Sequence, residues 1–151
     1  MKVFPPVAQL LPHAPPMIVI DAVMDAGDGW AESETTVAPA HPLFEARDEG
    51  LPGWALIELM AQTIAVFGGL DSRARNEPVR IGYLLGTRRL ELHRSLCRSG
   101  TVLRVRAERE FDDPEGVSVY QCSVRDGEAL IASARINVYQ QQAGTQNGEY
   151  E

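Results

Sequence analysis

The sequence predicts an α+β fold in which a strongly curved antiparallel sheet of about six strands wraps one long central helix. Three observations predict it. Residues 53–67 form one helix-favouring segment that is apolar on nearly every face. Four segments rich in Val, Leu, Ile and Tyr occupy the C-terminal half, separated by short turn sequences. The chain has 151 residues, enough for one domain that buries roughly 70% of its unfolded surface without covalent staples.

Composition narrows the class. Hydrophobic residues at 44% and charged residues at 23% describe a soluble globular domain and exclude a disordered or fibrous chain. The net charge of −7 has the wrong sign for a nonspecific nucleic-acid binder. Cys97 and Cys122 share no CxxC or Cys/His spacing, so neither a disulfide framework nor a zinc site is indicated, and reduced thiols in a cytoplasmic protein are expected. The opening Met1-Lys2-Val3-Phe4-Pro5-Pro6 develops no apolar run of signal-peptide length. The uncharged stretch Leu59–Leu70 is too short to span a bilayer, so no membrane association is expected.

The elements follow in order. Prolines at 5, 6, 12, 15 and 16 confine any N-terminal helix to a short piece around Val7–Leu11. Met17–Ile20 is a compact apolar run, Gly27 and Gly29 mark a turn, and Trp30–Val37 alternates as the second strand of a hairpin. Residues 38–52, with Pro39, Pro42, Gly50 and Pro52 among several acids, read as an irregular loop. The central helix then starts after Pro52-Gly53 and is expected to stop at Gly68-Gly69. A helix apolar all round must be buried all round. The strands Val79–Leu92, Thr101–Phe111, Val117–Arg125 and Ala129–Tyr139 supply the wrapping, antiparallel because their connections are short. A single domain over residues 1–139 is expected, with 140–151 a polar, disordered tail. This description fits the hot-dog fold, and periodicity alone leaves other α+β arrangements open.

Glu58 is the residue that stands out chemically. It is the one charge between Gly53 and Leu70, and a lone carboxylate in apolar surroundings is costly to ionise, which favours the protonated form that a general acid requires. Gln62, one turn later on the same face, is placed to hold that carboxyl. The other reading is that Glu58 emerges at a gap in the sheet and is solvated. The amides of Gly53 and Trp54 lie at the helix start, where unpaired N–H groups and the dipole attract negative charge, and Gly53 has no side chain to obstruct a ligand carbonyl. His41 in the preceding loop and His13 before the first strand are candidate bases, whereas His93 beside Arg94 reads as a surface residue. No two histidines share a metal-ligand spacing, so no metal is expected. Thr87–Arg106 concentrates Arg88, Arg89, Arg94, Arg98, Arg104 and Arg106 against Glu91 alone, which suits either docking of an acidic partner or protection of a strand edge.

The sequence resembles the hot-dog-fold 3-hydroxyacyl-[acyl-carrier-protein] dehydratases over roughly residues 9–139. Leu11-Pro12-His13 and the apolar run ending in Asp21 are similar to the family's opening. Leu51-Pro52-Gly53-Trp54 with Glu58 and Ala61-Gln62 is similar to its helix start and central helix, closest to the dehydratase-like proteins of aryl-polyene-type clusters. Gly82–Gly86 and Ser99–Leu103 resemble its following strand and turn. The resemblance implies a cytoplasmic dimer with sites at the subunit interface, Glu58 as the acid, a histidine as the base, and the Gly53 and Trp54 amides on the thioester carbonyl. It implies no cofactor. The partners it implies are an acyl carrier protein with a phosphopantetheine-linked substrate and a second subunit, identical or homologous. His41 lies three positions farther from Glu58 than the family's loop histidine lies from its acid, which an insertion within Glu45–Gly50 accommodates. If His41 is displaced instead, His13 or no histidine is the base. A hot-dog thioesterase and a catalytically weak partner subunit are the alternative functions.

Overall fold

The computed structural model describes residues 2–11, 18–79 and 82–140, apart from the side chain of Tyr83. A single turn of helix, α1 (Val7–Leu10), precedes the hairpin β1 (Ala22–Gly27) and β2 (Trp30–Thr36). A short strand, β3 (Gly50–Pro52), leads into the long helix α2 (Ala55–Ala74). The remaining strands are β4 (Gly82–Leu92), β5 (Leu96–Arg98), β6 (Val102–Asp112), β7 (Val117–Asp126) and β8 (Ala129–Gln140). Six strands form one antiparallel sheet in the order β1-β2-β6-β7-β8-β4, and β3 pairs with β5 beside it. This is the hot-dog arrangement, and the C-terminal strands fall where alternation places them.

Burial explains the layering. Along β2, Ala31, Ser33 and Thr35 face inward while Trp30, Glu32 and Glu34 face out. Leu103, Val105 and Ala107 on β6, Cys122 and Val124 on β7, and Ala132, Ala134 and Ile136 on β8 complete the inner face. Against them α2 sets Ala55, Leu56, Leu59, Met60 and Val66. At ~25 cal/mol per Å² of apolar surface removed from water, this layer is the main stabilising contribution. Two of the polar groups inside it are paired: Ser33 Oγ and Thr63 Oγ1 lie 2.8 Å apart, and Thr63 Oγ1 donates to Leu59 O at 2.7 Å, whereas the buried Thr35 Oγ1 has no hydrogen-bond partner among the described residues. By length and composition α2 could cross a membrane, but it is the core helix of the fold.

Three expectations are corrected, and the strand order is supplied by the structure. The first strand begins at Ala22, and Ile18–Ile20 run in irregular backbone; residues 12–17 lie outside the described residues. The loop over 38–52 contains β3, because Gly50–Pro52 finds a partner in β5. The helix does not stop at Gly68-Gly69 but runs to Ala74. Gly69 serves packing there: a Cβ would overlap the Leu10 carbonyl, so α1 rests directly on the helix backbone. Finally, β4 pairs with β8 at the far edge of the sheet while β2 takes the place beside β6. The tail expected over 140–151 lies outside the described residues except for Gln140, which ends β8.

Candidate active site

One face of α2 is left uncovered by the sheet. Trp54 and Glu58 are exposed on it, and Ala61, Ala65 and Gly68 continue the stripe at intervals of three or four residues. These side chains floor a groove of about 730 Å³, walled by Val19, Pro42 and Leu43 near Glu58 and by Leu84, Val138 and Tyr120 elsewhere. The expectation that Glu58 is sequestered in apolar surroundings is therefore corrected within the single chain. Small residues in the stripe leave a channel where full wrapping was expected, and Glu58 stands in it. Glu58 lies in the first turn of α2. Among the described lining residues it is the only acid.

Gln62 is buried, and its Oε1 accepts the Val19 N–H at 2.8 Å, which fixes the N-terminal segment to α2; no hydrogen bond between Gln62 and the Glu58 carboxyl is present among the described residues. His41 acts on the same residue. Its Nδ1 accepts from the Leu43 N–H at 3.0 Å, which assigns the proton to Nε2, and Nε2 donates to Val19 O at 2.7 Å. Both ring nitrogens are engaged. The neighbours of His41, Pro42 and Leu43, line the groove. The segment between them and α2 closes on itself, with Glu45 N–H bonded to Gly50 O at 2.8 Å and Glu49 at φ 58°. His13 lies outside the described residues. His93 is exposed, 3.7 Å from Glu91.

The helix start differs from expectation. The Gly53 N–H donates to Ser95 O at 2.8 Å, and a Cβ at Gly53 would sit 3.2 Å from Arg94 O. Gly53 is small because the 92–95 turn packs on it, and its amide is already satisfied. The Trp54 and Ala55 amides have no acceptor among the described residues and are the donors left at the helix start for a ligand.

Half of the basic segment is paired, two of its arginines by the β1–β2 hairpin beside it. Arg104 and Arg106 reach Glu32 at 3.1 and 2.9 Å, and Arg94 reaches Asp126 at 2.8 Å. Arg106 also lies over the Trp30 ring, 4.2 Å from its centroid. Arg88, Arg89 and Arg98 are exposed and pair with no acid among the described residues. No group of His, Cys, Asp and Glu among the described residues could hold a metal ion.

A groove role for Ala61, Ala65, Gly68, Tyr120 and Gln140 was not read from sequence, where Ala61 entered only through the resemblance and Gly68 only as an expected helix stop. The first three carried a signal, since small residues recur along the Glu58 face of the helix. Tyr120 and Gln140 carried none, because only the folded sheet brings β7 and β8 to this face.

Comparison with known proteins gives three findings. The model of the ApeP-like family, described as ApeP dehydratase, matches residues 5–148. A chain of the dehydratase heterocomplex ApeI:P from Xenorhabdus doucetiae is 28% identical and superposes with a TM-score of 0.87, covering 93% of this chain and 94% of that one. More distant structures show the fold alone. A conserved Pseudomonas aeruginosa protein is 24% identical at a TM-score of 0.60, covering 80% of this chain and 87% of its own. The PaaI protein of the E. coli phenylacetic acid degradation operon is 15% identical at 0.57, covering 78% and 81%. No curated protein matches the chain.

Proposed function

The chain belongs to the ApeP-like dehydratase family, and on that premise we propose that it dehydrates 3-hydroxyacyl thioesters carried on the phosphopantetheine arm of an acyl carrier protein. The products are trans-2-enoyl thioesters and water, and the setting is fatty-acid or polyene-type biosynthesis in the cytoplasm. The observation that carries this reading is Glu58, the sole acid among the described lining residues of an apolar groove, beside a helix start that offers a free amide. The thioester carbonyl takes the Trp54 amide, where the dipole of α2 stabilises enolate-like charge. A base removes the C2 proton, the electron pair closes the C2=C3 bond, and the C3–O bond breaks. Glu58 delivers a proton to the departing hydroxyl, which leaves as water, and then regains a proton from the base.

The bonding of His41 favours a specific form of this reading. To accept the C2 proton, the ring must give up the Leu43 N–H at Nδ1. We place the base instead on a homologous dehydratase subunit, with His41 bracing the groove of this chain. The relative from Xenorhabdus doucetiae is itself part of a dehydratase heterocomplex. An acidic carrier protein has Arg88, Arg89 and Arg98 as unpaired cations to dock on.

The test is mass spectrometry of 3-hydroxyacyl- and 2-enoyl-carrier protein incubated with this chain, alone and with its homologous subunit. Loss or gain of water by the pair supports the proposal. Turnover by this chain alone returns the base to one of its own histidines. Release of a free acid means a thioesterase, and no change in any mixture overturns dehydration.

A further inference from the structure

The groove has two chemically different ends. Near Glu58 its walls are Val19, Pro42 and Leu43; at the far end they are Gly68, Ser118, Tyr120 and Gln140. From Glu58 to Gly68 the helix advances by ten residues, about 15 Å. Along that path the outward stripe of α2 is Ala61, Ala65 and then Gly68, while the larger Gln62 and Ile64 that also line the groove are buried at its side, so a straight ligand runs over small residues. At the far end two glycines face one glutamine. Gly82 on β4 is the register partner of Gln140 on β8, and a Cβ on Gly68 would lie 3.0 Å from Gln140 Nε2. The Gln140 side chain therefore lies against the bare backbone of the helix, across the line of the groove. Its neighbours are fixed: Ser118 Oγ donates to Asp112 Oδ1 at 2.8 Å, and Tyr120 is edge-on to Phe67.

We propose that Gln140, resting on Gly68, is the stop that sets how long an acyl chain this groove accepts. The inference rests on the dehydratase reading and deepens it by assigning the specificity of the same groove. A zigzag chain with bonds of ~1.5 Å advances about 1.25 Å per carbon, so the path from Glu58 to Gln140 holds on the order of a dozen carbons. Beyond that length a chain must displace a polar carboxamide. While the side chain stays in place further carbons find no apolar surface to bury, so lengthening ceases to add affinity.

The experiment measures binding of an acyl-pantetheine ladder, lengthened two carbons at a time, to the full chain. Turnover of the matching 3-hydroxyacyl-carrier proteins by the chain with its homologous subunit is measured in parallel. Each step is expected to raise wild-type affinity roughly tenfold until the stop is met, and then to add nothing. Gln140→Ala moves that break at least two carbons longer. Gly68→Leu places a side chain in the groove and moves it at least four carbons shorter. Thermal melting verifies that each variant is folded, and the Gln140→Ala arm is decisive by itself if Gly68→Leu is not. A break at the same length in wild type and Gln140→Ala overturns the inference while leaving dehydration intact. Failure to bind or turn over any acyl chain overturns both.

Discussion

Gln62 and His41 are joined through the backbone of one residue. Gln62 Oε1 accepts the Val19 N–H at 2.8 Å, and His41 Nε2 donates to the Val19 carbonyl at 2.7 Å. Val19 lies in irregular backbone with no ladder partner, yet both of its main-chain groups are satisfied. The clamp ties the N-terminal segment, the loop before α2 and α2 itself into one wall of the groove.

Removing the Gln62 acceptor leaves the Val19 amide buried and unpaired. Gln62→Leu is expected to lower stability by ~1–3 kcal/mol in urea denaturation. An unchanged urea midpoint in folded Gln62→Leu would mean that the Val19 bond contributes little.

For His41 the informative readout is the pH dependence of the remaining turnover. His41→Ala is expected to lower stability by ~1–3 kcal/mol, because it frees the Val19 carbonyl and the Leu43 amide. As a brace it leaves the shape of the pH–rate profile of the chain with its homologous subunit unchanged. A lost limb in that profile would show the imidazole exchanging protons with substrate.

Two glycines should respond oppositely to a methyl group. Gly69→Ala drives a Cβ into the Leu10 carbonyl and is expected to cost about 1–3 kcal/mol through forced backbone shifts. Gly86→Ala meets nothing within 4 Å and should stay within about 0.5 kcal/mol of wild type. Paired thermal melts read the difference.

Alkaline pH should unfold the protein through two core groups. Burial pushes Tyr120 from 10.0 up to about 12 and Cys122 from 9.0 up to about 12. Between the unfolded and folded values the native state keeps protons that the unfolded chain has released. Stability from these groups is thus fully present below about pH 9 and is lost as pH rises toward 12, by a few kcal/mol in all. Urea midpoints across this range should fall steeply in wild type and less steeply in Tyr120→Phe.

The strands of the C-terminal half were legible because alternation and turn residues are local properties: Asp126-Gly127, for example, turns β7 into β8. The surroundings of Glu58 were misread because composition treats a small residue as core. Ala61, Ala65 and Gly68 are apolar, yet they leave room for a groove instead of filling it. The Gly53 amide was misassigned for a different reason. Its acceptor, Ser95, is 42 positions away, and only the β3–β5 pairing brings it near. The neutralisation of Arg104 and Arg106 likewise depends on β2 lying beside β6, a long-range pairing that periodicity does not encode.

The most direct test is a comparison of wild type with Glu58→Gln, each assembled with the homologous subunit and given 3-hydroxyacyl-carrier protein. Because Glu58 is exposed, the variant should melt within about 0.5 kcal/mol of wild type. Its rate of water loss should fall by at least ~100-fold, the low end for removal of a general acid. Undiminished water loss by a folded Glu58→Gln complex would contradict the assignment of this carboxyl as the proton donor.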